Sequence, residues 1–398
     1  MGVADVQTNS NLQEDIRELR NALKGLICNE KKAIEILGTR NQAQRDSIAE
    51  GYKVLFGESL HKRLKSALSG KVEKCLMLWM MSPAERDAVL LFEALREGGP
   101  HKDRAVIGML STRTAGHMFQ IKQSYYELFN QTLENHIDGS GFIVMEPQNK
   151  SKWAFWRSSS EPKVKEPPKR AFAITKLLLA LARGSRPVTT TVDRHIALTD
   201  AHQLNKVCTG KVGNEETLIR IFSTRSSSQL TATMNYYQQH YGHDFEKALS
   251  KKDAGEFLQA LRAVVQCIRQ PSKFYAEELS AALSGAGTDE EPLIRIITTR
   301  AEVDMHLIKM EFINERKRTL EEVIANATAG NFRQFLVAVL GQKDILISPR
   351  ISNGSTGTYY MSPQVSNGSR QPSDNSDNSA TSYFSGSVGS SGQNSFQS

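Results

Sequence analysis

The chain runs to 398 residues with 39% hydrophobic and 23% charged side chains and a formal net charge of +7, an ordinary balance for a folded protein with room for two or three average domains. No apolar stretch reaches the roughly 18 residues that span a bilayer. The opening MGVADVQTNSNLQEDIREL carries neither the basic nor the apolar region of a secretory leader, and Val6 stands where myristoylation at Gly2 needs Ser or Thr. Cys28, Cys75, Cys208 and Cys267 are scattered without CxxC spacing, which fits reduced thiols in a cytoplasmic protein. The positive excess favours acidic partners, anionic lipid or nucleic acid. Most of it sits in residues 150–170, with seven Lys or Arg against two Glu, 7 − 2 = +5.

In chain order, one phrase returns four times. Ile34 to Arg40, Val106 to Arg113, Leu218 to Arg225 and Leu293 to Arg300 are apolar helical runs ending in Thr-Arg. Such self-similarity marks supersecondary units too small to bury their own apolar faces, so four copies predict one array. The blocks are placed at 14–83, 86–186, 197–270 and 272–342. Asn29-Glu30 signals a helix start in the first block. The second is interrupted over about 144–170 by Pro147, Pro162, Pro167, Pro168 and a Ser158–Ser160 run, which no continuous helix tolerates. Helical pattern resumes at Ala171-Phe172-Ala173-Ile174. In the third block Asn214-Glu215-Glu216 is another start signal. The fourth gives three helices by apolar spacing, through Leu293, Ile296 and Ile297, then Leu320, Val323 and Ile324, then Phe332, Phe335, Leu336, Val339 and Leu340. Thr288-Asp289-Glu290-Glu291 reads as a capping box, with the Thr288 hydroxyl and the Glu291 carboxylate on exposed N–H groups. Strand-like alternation is nearly absent, so the class is all-α. From Ser348 to Ser398 the composition turns to Ser, Asn and Gly, which predicts a disordered tail.

Two stretches carry a family resemblance. Thr224 to Tyr237, TRSSSQLTATMNYY, resembles the third repeat of plant annexins. Gly285-Ala286-Gly287-Thr288-Asp289-Glu290, followed by Thr299 to Met305, resembles their fourth. The resemblance covers roughly residues 14–342 apart from the insertion. It implies a curved disc of four annexin repeats, each of about five helices. It also implies calcium in loops on the convex face, bridging to phosphatidylserine-type headgroups. The protein would be peripheral and non-enzymatic, docked reversibly on the cytosolic face of a membrane, the plasma membrane first, as a monomer or lipid-induced oligomer. A role in plant stress responses is part of the same expectation.

The resemblance also implies a ligand set, and each residue can be tested against it. Calcium takes about six to eight oxygens. A K-G-x-G-T loop would supply backbone carbonyls, its glycines allowing positive φ and bare backbone, and a carboxylate thirty-nine residues beyond the Thr would complete the site. In the fourth repeat Leu283, Gly285 and Gly287 can present carbonyls, but 288 + 39 = 327 is Ala327. The first repeat has Gly25 with Ile27 for the second glycine and Ala67 for the acid. The third has Gly210 with Val212 and Lys252. The second has Gly98 followed by Pro100 and His101, with Asp138 near the acid position. Calcium binding is therefore expected to be weak and best in the fourth repeat, with the weaker candidates at Gly25, Gly98, Asp138 and Gly210.

Basic residues are expected to assist. Lys or Arg near an anionic surface contributes about 1 kcal/mol each. Lys152, Trp153, Trp156 and Arg157 in the insertion are the candidates for membrane contact, the aromatics settling at headgroup depth. The same segment supports an alternative reading as a nucleic-acid binder, bases stacking on Trp and phosphates drawn to Lys and Arg, although no specific nucleic acid is expected without a folded platform. Cys208 and Cys267 resemble a pair suggested as a redox cluster in plant annexins, so a weak redox enzyme is a further alternative. Nothing in the neighbouring sequence would lower their pKa. Thr39 replaces the His to which peroxidase activity has been attributed. Ile219-Arg220-Ile221 and Ile294-Arg295-Ile296 match a triplet suggested for F-actin binding, and equally suit a half-buried helix. No GxxxxGK[ST], GxGxxG or HExxH motif is present.

Overall fold

The computed structural model describes residues 3–25, 28–140, 170–208, 215–249, 255–285 and 287–341, with side chains from Asn11 onward and only the backbone of Cys208. The expectations for Gly210, Lys152, Trp153, Trp156, Arg157, most of the insertion and the tail lie outside these residues. No strand occurs among the described residues, and their helices fall into four sets of five. The first set is α1 Val3–Ala22, α2 Glu30–Gly38, α3 Gln42–Phe56, α4 Leu60–Ala67 and α5 Gly70–Met80. The second is α6 Pro83–Glu97, α7 Pro100–Thr112, α8 Ala115–Phe129, α9 Leu133–Asp138 and α10 Phe172–Ala182. The third is α11 Arg194–Cys208, α12 Glu215–Thr224, α13 Ser227–Tyr241, α14 Phe245–Leu249 and α15 Glu256–Arg269. The fourth is α16 Pro271–Ala282, α17 Glu290–Arg300, α18 Met305–Arg316, α19 Leu320–Ala327 and α20 Gly330–Leu340.

Local chemistry sets the boundaries. Asn41 with Gln44, Ser82 with Glu85 and Thr319 with Glu322 form reciprocal capping boxes at the starts of α3, α6 and α19, each satisfying two orphan N–H groups. The expected box at Thr288 is absent. Asp289 caps α17, accepting from Glu291 N at 3.3 Å. Thr288 Oγ1 instead donates to Ala327 O at 2.9 Å. Glu291 is drawn away by Lys102 and Arg295, each at 3.2 Å. Burial alone would raise the Glu291 carboxyl, yet these two cations hold it below the usual range. Two charge-assisted bonds outcompete one neutral N–H.

The recurring Thr-Arg phrase now has a physical account. Each Thr hydroxyl donates back one turn: Thr39 to Glu35 O, Thr112 to Gly108 O, Thr224 to Arg220 O and Thr299 to Arg295 O, all at 2.7–2.8 Å. Each Arg then forks onto an aspartate. Arg40 pairs with Asp15, Arg113 with Asp87 and Arg225 with Asp200, every pair closing at 2.7 Å. These partners lie 25, 26 and 25 residues upstream, so the bond ties the first helix of a set to the end of the second. Arg300 breaks the rule and takes Asp304 four residues ahead. The upstream position is Tyr275, and Arg300 lies over its ring at 4.9 Å.

Between the first and fourth sets, α2 packs on α20 and α17 on α5, and α17 also meets α6 of the second set. The approach is close, since a Cβ on Gly38 would come within 3.0 Å of Ala338 Cβ. Glu302 pairs with the fully buried Arg45 at 3.0 Å and accepts from Gln42 N at 2.7 Å. Trp79 lies beneath, its ring 3.8 Å from the Arg45 guanidinium and its Nε1 donating to Leu37 O. One continuous apolar core runs through all four sets, as a repeat array requires.

Candidate functional site

The candidate loops join the first helix of a set to the second. Those of the first and fourth sets are equivalent by hydrogen bonding. Leu23 N donates to Leu19 O, Lys24 N to Asn21 O and Asn29 N to Ala22 O. Leu283 N donates to Leu279 O, Ser284 N to Ala281 O and Asp289 N to Ala282 O. The offset is constant, 283 − 23 = 260 and 289 − 29 = 260, and the acid positions Ala67 and Ala327 keep it. Helix ends leave their last carbonyls without helical partners. In the fourth set Leu279, Ser280, Ala281 and Ala282 are all satisfied by loop N–H groups. Among the described residues no backbone N–H bonds to the carbonyls that follow on Leu283, Gly285 and Gly287, the three named from the sequence.

Gly285 serves close approach more than handedness, whereas a Cβ on Gly287 would meet open space. A Cβ on Gly285 would meet Gly287 O at 3.2 Å. Positive φ, expected throughout these loops, is present at Gly25 (86°), Gly98 (65°) and Gly99 (93°), but Gly285 does not adopt it. Position 327 does lie beside the loop, as the Thr288 to Ala327 hydrogen bond demonstrates. It brings a methyl group where a divalent ion calls for a carboxylate. Among the described residues no group of three or more His, Cys, Asp or Glu is gathered to hold a metal. The residues of the fourth loop thus fit calcium as a neutral carbonyl cradle and lack its charged clamp.

The other loops depart further. Between α6 and α7 only Gly98 and Gly99 intervene, and Pro100 opens α7. Seven residues fill the corresponding loops at 23–29 and 283–289. Asp138 is exposed at the end of α9 and accepts from Ser140 N at 2.8 Å, a local turn contact. In the first loop the Leu23 carbonyl accepts a hydrogen bond from Arg63 Nη2. Arg63 stands on α4 one turn before Ala67. Its counterpart at 63 + 260 = 323 is Val323. Sequence reading missed Arg63; the signal was a basic residue four positions before an acid site already known to be empty.

Cys267 lies within α15 and Cys75 within α5, both buried. Burial pushes both thiols upward, the opposite of what a reactive thiolate needs. Cys28 within the first loop is raised by burial and by Glu30, with Arg63 pulling it back. In the Ile-Arg-Ile triplets, Ile219, Ile221, Ile294 and Ile296 are core residues, and Arg295 is buried against Glu278 and Glu291. Arg220 alone is exposed, donating to Gln203 at 3.0 Å.

Comparison with known proteins places these features in context. A family profile described as Annexin matches residues 14–79, 199–264 and 274–339. Annexin D7 of Arabidopsis thaliana is 33% identical over 329 residues, covering 83% of this chain and 95% of that relative. Annexin A13 of Homo sapiens is 33% identical over 330 residues with the same coverage of each. The solved structure of annexin III aligns with a TM-score of 0.72 at 30% identity, over 84% of this chain and 94% of that one.

Proposed function

The chain belongs to the annexin family, whose members bind phospholipid in the presence of calcium, and on that premise we propose that it docks reversibly on anionic membranes with attenuated calcium dependence. No described helix is long and apolar enough to cross a bilayer, which suits a peripheral mode. The observation that carries the reading is the pair Thr288 and Ala327: the loop and its acid position are brought together, and the acid is missing. Leu283, Gly285 and Gly287 are the proposed calcium ligands, through their carbonyl oxygens, with lipid phosphate and water completing the shell. Gly25, Asp138 with Gly98, and Gly210 are weaker candidates. A site with so little charge belongs at the weak end of the calcium scale, about 0.1–1 mM or weaker.

Basic residues make up part of the deficit, led by the +5 segment at 150–170 with Lys152, Trp153, Trp156 and Arg157. Electrostatic attraction to an anionic surface falls off within a Debye length, so this share of binding is salt-sensitive. The reading involves no catalysis, and the raised Cys267 thiol supplies no reactive group for it. Sedimentation with phosphatidylserine vesicles tests it. Binding should survive chelator in part at low salt, and that residue should fall as salt rises. Complete release by chelator at low salt would contradict attenuated calcium dependence.

A further inference from the structure

The first and fourth loops share backbone hydrogen bonds and length, yet one feature separates them. In the first, a side chain occupies the carbonyl that opens the ligand set. Arg63 Nη2 donates to Leu23 O, the counterpart of the Leu283 carbonyl by the 260-residue offset. Arg63 Nε is buried with no hydrogen-bond partner. Among the described residues the guanidinium forms no ion pair within 4.0 Å. The nearest acid position on its own helix is Ala67. A full positive charge thus sits at a carbonyl oxygen, beside a site from which the carboxylate is gone.

We propose that Arg63 is a resident cation standing in for calcium in the first repeat: it excludes the ion and offers the free N–H donors of its two η nitrogens to the phosphate of an anionic lipid headgroup. The chemistry is consistent on both sides. A guanidinium is permanently charged and satisfies carbonyl oxygens directionally, so a divalent ion at Leu23 O would meet both repulsion and a blocked ligand. Its planar fork also matches phosphate oxygens, the same group a bridging calcium would otherwise hold. Losing the acid at Ala67 then becomes a complementary change, because a carboxylate there would neutralise the guanidinium. The chain would carry one loop that is always charged and one, at Leu283 to Thr288, that answers weakly to calcium. This inference rests on the membrane-docking reading for its lipid half, whereas the metal half can be measured without lipid.

The test uses the full chain and two readouts. In calorimetric titration with calcium alone, Ala67→Glu is expected to gain no site, since Arg63 pairs with the new carboxylate. Arg63→Gln combined with Ala67→Glu is expected to gain one. A new site in Ala67→Glu alone would overturn the exclusion, as would no gain in the double variant. In sedimentation with phosphatidylserine-containing vesicles under chelator, Arg63→Gln is expected to lose about fivefold in partitioning. Lys62→Ala, removing an exposed charge from the same helix, should lose clearly less; equal losses would reduce Arg63 to bulk charge. Gln retains a hydrogen-bond donor for Leu23 O, and a matching thermal melt confirms that the fold is kept. Titration of inorganic phosphate should show no Arg63-dependent heat; such heat would assign the site to a soluble anion. Were the unaltered protein to ignore the vesicles altogether, docking itself would fail, and the calcium titrations would still decide whether Arg63 blocks the ion.

Discussion

The first and fourth repeats have helices of almost matching bounds, 260 residues apart. Leu60–Ala67 answers Leu320–Ala327, and Gly70–Met80 answers Gly330–Leu340. Their backbones solve the same problem and their charged groups do not. The first ties Arg40 to Asp15 on an earlier helix; the fourth turns to Asp304 within its own chain segment and places Tyr275 where the earlier acid would stand. The first puts Arg63 on the loop carbonyl, and the fourth has Val323 there with the Thr288 hydroxyl on Ala327 O. Apolar burial fixes the scaffold of a repeat, and the ionic and capping groups can then be exchanged locally without moving it.

The comparison is sharpened most by removing the two aspartates. Arg300 is 6% exposed and Arg40 29%, so loss of the carboxylate strands a buried charge only in the fourth repeat. Asp304→Ala is expected to cost about 3 kcal/mol, and Asp15→Ala about 1 kcal/mol, read as midpoint shifts in urea unfolding. Equal costs would show that Tyr275 compensates fully. Glu302→Gln probes the seam between the two repeats: Arg45 has no exposed surface and this is its carboxylate partner. A loss of about 2–3 kcal/mol is expected. Restoring the missing acid in the fourth loop, Ala327→Glu, should tighten calcium binding by about tenfold or more, roughly 1.4 kcal/mol, in calorimetry without lipid. An unchanged affinity would mean that the carbonyl cradle is not the binding site. The smallest effects concern helix ends. Gly57 (φ 67°) and Lys317 (φ 57°) hold equivalent left-handed caps, 317 − 57 = 260. Gly57→Ala should destabilise and Lys317→Gly stabilise, each by about 1 kcal/mol, as opposite shifts in a thermal melt.

Much of this was open to reading in the residues alone. Four Thr-Arg phrases gave four helical units, and apolar spacing placed the three fourth-block helices whose core residues are buried at Leu293, Ile296, Leu320, Ile324, Phe335 and Leu336. Loop wording at Gly285 to Glu290 identified the candidate site, and counting to Ala327 found its acid missing. Such features are local or periodic, so a one-dimensional pattern carries them. The aspartates at 15, 87 and 200 also stand 25 or 26 residues before their Arg partners, and that signal went unread because it links two helices.

What the folded chain alone decided is which polar group meets which. Thr288 could either accept from an exposed N–H as a helix cap or donate to a distant carbonyl, and the end of α19 arriving beside it selected the carbonyl. Glu291 was drawn from its cap by Lys102 across 189 residues. Arg63 became a cation on the Leu23 carbonyl because α4 packs there, forty residues away along the chain. Sequence determined the helices and the loops that join them, since propensity, caps and periodicity act over a few residues. Hydrogen bonds and ion pairs depend on ångström-scale proximity between distant segments, and only tertiary packing supplies it.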